Sequence, residues 1–156
     1  GVDLDPLMIE GAQQNLDWAM PDSDAQLLVG DATQLPHVIP LDAHHRIGGF
    51  VLDPPYGRNS QGSLDHAELI RSVLESTRMV AASNADLVLI LPIHPFGELP
   101  DEALEPDASV ELLHGKWDDI QSTFTATGWR INNRWVEHVH ASLGRLILHA
   151  TIVPQG

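Results

Sequence analysis

The chain has 156 residues and sets eight Lys plus Arg against 22 Asp plus Glu, a formal charge of −14 with its nine histidines counted neutral. That length suits one domain with a real core, and a 43% hydrophobic content is too high for a disordered chain. The absence of cysteine excludes a disulfide framework, a thiolate zinc site and a thiol nucleophile, while the acid excess argues against a stand-alone nucleic-acid binder, which needs clustered Lys and Arg.

In chain order, Gly1-Val2-Asp3-Leu4-Asp5-Pro6 reads as the end of a buried strand running into a helix. Pro6 suits a first-turn position and Asp5 an N-cap. The helix continues through Met8, Ile9, Ala12 and Leu16. A short strand is expected over 25–29, ended by Gly30-Asp31-Ala32, and a loop over 36–45. Residues 47–52 form an apolar strand ended by Asp53-Pro54-Pro55-Tyr56-Gly57, and a polar loop follows over 58–63. A helix is expected over 65–82, where Leu69, Ile70, Val73, Leu74 and Val80 can make one apolar stripe. The run Leu-Val-Leu-Ile-Leu inside 86–91 fits a parallel strand covered on both faces. An acidic, proline-bearing loop spans 95–107, and a helix over 117–127 is closed by Gly128. Residues 129–140 and 145–153 then read as a hairpin turning around Ser142-Leu143-Gly144.

The order β-α-β-β-α-β-α-β-β argues an α/β fold: a mostly parallel sheet with helices on both faces and a C-terminal antiparallel hairpin. No apolar run is long enough to span a membrane. No charged leader opens the sequence, so it reads as cytoplasmic. The acid excess also has a particular texture. Lys116 is the one lysine, and aspartate outnumbers glutamate fourteen to eight. Such a surface reads as halophilic, because dense carboxylates hold water and salt screens their repulsion.

Ligands of open α/β sheets sit at the carboxyl ends of the strands. Three such ends are acidic here. At the strongest, the Asp53 carboxylate and the Pro54 carbonyl can accept the two hydrogens of an exocyclic amine. Pro54 and Pro55 stiffen the turn, and Tyr56 can stack on a flat base. Two acceptors on one nitrogen aim its lone pair at an electrophile, which is catalysis by positioning. Asp3 is placed to receive two ribose hydroxyls, as acidic residues at that point of nucleoside-binding folds do. Asp31 can accept the amino hydrogens of an adenine, with the backbone near Ala32 addressing a ring nitrogen. His140, Ser142 and Arg145 surround the hairpin turn and can contact phosphate. His44-His45 and His138-x-His140 suggest metal pairs, the latter sharing a face in a strand. No third ligand has a recognisable spacing, so no metal is expected. Trp117, Trp129 and Trp135 read as packing residues.

Together, Gly-Val-Asp-Leu-Asp-Pro, Gly-Asp-Ala and Asp-Pro-Pro-Tyr-Gly-Arg resemble class I S-adenosylmethionine-dependent methyltransferases that act on amines. More narrowly, Asp53-Pro54-Pro55-Tyr56-Gly57-Arg58 and Val139-His140-Ala141-Ser142-Leu143-Gly144-Arg145 look like the archaeal tRNA guanine-10 N2-methyltransferases and their eukaryotic relatives. The family's tail often reads His-x-Ser-Leu-Thr-Arg; Gly144 replaces the threonine. The resemblance implies a Rossmann-like methyltransferase sheet, S-adenosyl-L-methionine as cofactor and tRNA as partner. It gives Asp3 the cofactor ribose and Asp31 the adenine, with Leu4, Ala32 and Asp53 in the same cofactor-binding set. Asp53, Pro54, Pro55 and Tyr56 become the catalytic set, and Arg58, His140, Ser142 and Arg145 the RNA-binding set.

One departure stands out. The family's glycine-rich loop, commonly Asp-Pro-x-Cys-Gly-Thr-Gly, and its first strand precede the motifs found here. Neither they nor the family's THUMP domain occurs in the sequence. Residues 1–156 therefore read as part of a methyltransferase catalytic domain, incomplete at the N-terminus. RNA binding would rest on a region outside them, and the 156 residues alone are expected to be inactive. Other planar amines, adenine N6 or a glutamine amide, suit the same double-proline motif. A non-catalytic partner subunit is the reading from a different class, and the intact Asp53-Pro54-Pro55-Tyr56 argues against it.

Overall fold

The computed structural model describes residues 1–54, 66–95, 104, 108 and 110–154. Its first unit is β1 (Val2–Asp3), α1 (Pro6–Ala19) and β2 (Leu28–Val29), with β1 and β2 paired in parallel. Asp5 caps α1: its carboxylate accepts from the Leu7 N–H at 2.9 Å, and Pro6 takes the first turn, where a missing N–H costs nothing. The strand expected over 25–29 shortens to its last two residues. The regular ladder joins Val2–Asp3 to Leu28–Val29, Gly1 bonds Gln26 and Leu28 beside it, and the Ala25 N–H turns to Ser23 Oγ at 3.2 Å.

The expected loop over 36–45 contains more structure than expected. A 3-10 turn spans Ala32–Gln34, α2 spans Leu35–Val38, and a second 3-10 turn spans Leu41–Ala43. This stretch is anchored on the following helix, where the Leu35 N–H donates to the buried Ser76 Oγ at 2.8 Å. Local propensity does not reveal such a tie, because its partner lies 41 residues away.

The main sheet contains β3 (Ile47–Leu52), β4 (Ala81–Ile93), β5 (Trp129–His140) and β6 (Leu143–Ile152), in the order β3-β4-β6-β5. β3 and β4 run parallel; β6 is antiparallel to both of its neighbours. α3 (His66–Val80) lies between β3 and β4 in sequence, and α4 (Trp117–Ala126) precedes β5. β4 starts earlier than the expected 86–91 because α3 feeds straight into it. Its pairing with β3 slips between Ile47 and Gly49, which accommodates the extra residues. The hairpin turn is correspondingly tighter than expected, with Ala141 and Ser142 between the strands.

The core follows from alternation. On β4, Leu87, Leu89, Leu91 and Ile93 are buried, and Leu146, Leu148, Ala150 and Ile152 meet them from β6. Ile70 and Leu74 of α3 and Ile120 and Phe124 of α4 close over that one face. Gly128, at φ +81°, ends the α4 segment in the left-handed region that glycine adopts freely. Buried Arg134 on β5 stacks over the Trp117 ring at 4.8 Å and donates to the Ala108 carbonyl at 3.1 Å.

Helices were expected on both faces, but the described helices of the main sheet, α3 and α4, share one. The opposite face carries Val51, 77% exposed, together with Asp86, Val88, Ile90, Arg145, Ile147 and His149. Among the described residues, no helix is long and apolar enough to cross a membrane.

Candidate active site

Two acidic strand ends lie side by side. Asp3 pairs with Val29, and the Gly30 N–H extends the ladder to the Asp3 carbonyl at 2.9 Å, so Asp31 follows directly beside Asp3. Each carboxylate has one oxygen engaged locally. Asp3 Oδ1 accepts from the Asp5 N–H at 2.8 Å; Asp31 Oδ1 accepts from the Thr33 N–H and Thr33 Oγ1, both at 2.8 Å. These turns fix the carboxylates and leave the second oxygen of each facing solvent, since both residues are exposed. Leu4, in the bend after Asp3, is exposed too. Ala32 opens the 3-10 turn, so its N–H stands outside the helical ladder.

Gly30 makes this arrangement possible. A Cβ there would sit 2.6 Å from Val38 Cγ1 and 2.7 Å from its Cγ2. Valine is stiff at χ1 and cannot swing clear. Gly30→Ala is expected to destabilise the protein by about 1–3 kcal/mol. Urea unfolding checks this, and adding Val38→Ala should restore most of the loss.

The third acidic end closes β3. Phe50 and Leu52 pack against the core, whereas Val51 faces the open side, and alternation carried one residue past the strand puts Asp53 on that open side as well. Asp53 is exposed and Pro54 half-buried. Pro55, Tyr56 and Arg58 lie outside the described residues. The hairpin turn reaches the same sheet edge: Leu52 pairs with Leu89, and further up β4 Pro92 pairs with Arg145 and Ile93 with Gly144. His140 and Ser142 are brought together there, His140 Nδ1 meeting the Ser142 N–H at 3.3 Å and its Oγ at 3.2 Å. Arg145 projects from β6 on the open face, opposite Glu137 of β5.

One expectation changes. His138 and His140 do not share a regular face, because a register shift falls between them: His138 pairs with Gly144 and His140 with Leu143. The tryptophans also divide. Trp129 is fully buried and Trp117 lies under Arg134, but Trp135 is 38% exposed on the open face. Among the described residues, no three His, Asp or Glu side chains converge on a metal-sized gap.

Three features of this edge were not anticipated. His66 at the start of α3 and His114 before α4 bring their rings to 5.4 Å. His94 leaves β4 at the same edge. Glu137 faces Arg145 across the hairpin. The bulge at 138–140 defeats residue counting for the last of these; nothing local marks the first. An open cavity of about 530 Å³ lies at the other end of the sheet, lined by Arg78, Thr125, Thr127 and Gly128 among others. Its threonine hydroxyls are already donated to the carbonyls of Gln121, Thr123 and Phe124.

The chain matches the family described as UPF0020, RMKL-like, methyltransferase domain, over residues 1–98. It belongs to that family. The chain is also 28% identical over 145 residues to the tRNA (guanine(10)-N2)-dimethyltransferase of Pyrococcus abyssi, an alignment covering 93% of this chain and 35% of that protein. It thus spans about a third of that relative's length. Among solved structures, it resembles a SAM-dependent methyltransferase from Methanosarcina mazei, with TM-score 0.66, 12% identity and coverage of 99% of this chain and 82% of that one. It also resembles magnesium protoporphyrin IX methyltransferase from Synechocystis with bound SAM, with TM-score 0.62, 15% identity and coverage of 97% and 58%. TrmN from Thermus thermophilus gives TM-score 0.57, 13% identity and coverage of 97% and 35%. The family is that of a methyltransferase domain, and the fold is that of Rossmann-like methyltransferases, of which the Synechocystis structure holds S-adenosylmethionine.

The adjacent strand ends at Asp3 and Asp31 suit that cofactor. Its ribose hydroxyls and adenine amine are donors, and the free oxygens of Asp3 and Asp31 are acceptors on adjacent strand ends.

Proposed function

We propose that the whole protein transfers a methyl group from S-adenosylmethionine to the exocyclic N2 amine of a guanine in tRNA. One observation carries this most directly: Asp53 and Pro54 directly follow an apolar parallel strand at the sheet edge that also bears the His140–Ser142 turn. The relative's named activity supports the choice of guanine. Asp3 and Asp31 hold ribose and adenine, with Leu4 and Ala32 framing them. When bound, the cofactor supplies an electrophilic methyl group.

Asp53 and the Pro54 carbonyl each accept one hydrogen of the amine and so aim the nitrogen lone pair at that carbon. The proton that the amine loses on methylation would pass to Asp53, its nearest acceptor. Pro55 stiffens the turn, and Tyr56 stacks on the base. Arg58, His140, Ser142 and Arg145 meet the RNA, whose main grip comes from a region outside these 156 residues. Methyl transfer assayed side by side on unmodified tRNA, DNA and protein tests the reading. Transfer confined to tRNA is expected; preferential transfer to adenine or to a glutamine amide would refute it.

The proposal extends to the setting of the protein, a cytoplasm rich in salt. Every acidic residue among the described ones is exposed. Their mutual repulsion should weaken as the screening length falls from about 10 Å at 0.1 M salt to about 3 Å at 1 M. The melting temperature is therefore expected to climb steadily as KCl is raised. A melting temperature indifferent to KCl would remove the halophilic part of the proposal.

A further inference from the structure

Arg145 is unusual among the cations. Its Nε is buried and, among the described residues, is the one buried side-chain nitrogen or oxygen without a hydrogen-bond partner. A buried donor left unmade costs stability, and this chain has 22 carboxylates with which to satisfy it. Glu137 stands directly opposite in the hairpin register, yet the two form no ion pair. Among the described residues, then, this guanidinium keeps a buried donor for something that arrives.

Its position indicates what. Arg145 pairs with Pro92 of β4 and belongs to the face that carries Val51, the side on which alternation puts Asp53. Arg145 and Asp53 are separated by two strand spacings, roughly 10 Å, and by a short offset along the strands. A flat purine and an extended arginine side chain cover that span together. Guanine carries its 2-amino group and its O6 at opposite corners of one edge. With its amine at Asp53, a base lying across the sheet towards β6 presents its O6 corner to Arg145. Arginine meeting O6 and N7 of guanine is the commonest specific base contact, and RNA bases splayed out of the stack expose those atoms. A guanidinium with its Nε buried against the sheet is also drawn in from the solvent, where the phosphate backbone would run.

We infer that Arg145 reads the O6 side of the target guanine and so determines specificity for guanine. The inference rests on the guanine reading above. It changes the role of Arg145 from a phosphate contact, which positions without specifying, to a base contact.

The test compares the whole protein with its Arg145→Ala and Arg145→Lys variants, on tRNA carrying either guanine or 2-aminopurine at the target position. 2-Aminopurine keeps the amine and lacks O6. The unaltered protein is expected to favour guanine by roughly tenfold to a hundredfold. Both variants should bring that ratio close to one, mainly through loss on guanine. Lysine keeps the charge but not the two-pronged donor, so it should fail to rescue the preference. A ratio unchanged in the variants, with equal losses on both substrates, would overturn the inference in favour of a phosphate or folding role. So would rescue by lysine, or equal use of both bases by the unaltered protein. If the unaltered protein methylates neither base, the guanine reading itself falls and the inference with it.

Discussion

Asp53→Ala in the whole protein is expected to lower kcat for methyl transfer by roughly a hundredfold or more. The magnitude follows from what the residue does. An unheld amine samples orientations in which its lone pair misses the methyl carbon, and small misplacements of a reacting group cost on the order of a hundredfold. Pro54 still offers its carbonyl in the variant, but one acceptor fixes one hydrogen and leaves the nitrogen free to rotate. Asp53→Asn separates geometry from charge. The amide oxygen can still accept, so a smaller loss than with alanine is expected. Single-turnover kinetics with saturating cofactor read the chemical step. A rate within about threefold of the unaltered protein would show that Asp53 does not hold the amine.

The largest effect on stability is expected at Trp129. Its side chain is fully buried, its indole N–H donates to the Leu74 carbonyl at 3.2 Å, and its ring meets Phe50 edge-on at 6.1 Å. It therefore joins α3, β3 and β5 in one contact set. Trp129→Ala should cost about 3–5 kcal/mol through lost burial and the cavity left behind. Trp129→Phe keeps an aromatic ring against Phe50 but drops the hydrogen bond, and a smaller cost is expected. Urea unfolding in high salt measures both; a cost below about 1 kcal/mol for alanine would mean that the core closes without it.

What could be read in the sequence depended on how local its cause was. β3 and β5 appear with the expected bounds, 47–52 and 129–140, because each is an apolar or β-prone run bounded by turn residues. The cap at Asp5 and the stop at Gly128 are one-residue effects and were equally visible. The strand expected over 25–29 shortens where the Ala25 N–H bonds Ser23 Oγ, a local tie that apolar patterning does not show. The α2 segment was missed because Ser76, distant in sequence, holds it in place. At the candidate site, Asp3, Asp31 and Asp53 were legible as acids ending strands. Their division into an adjacent pair, Asp3 with Asp31, and a separate edge shared by Asp53 with the hairpin turn was not, since it depends on sheet order. The buried Nε of Arg145 was invisible for a similar reason: burial on a sheet face is a property of four strands, not of one.

The central claim is that the acidic strand ends serve methylation of a guanine amine. Nucleoside digestion of unmodified tRNA, after incubation with the whole protein and methyl-labelled S-adenosylmethionine, tests it most directly. Label is expected in guanosine methylated at N2, and is expected to disappear with Asp53→Ala. Label in N6-methyladenosine, or unlabelled tRNA beside labelled protein, would contradict it.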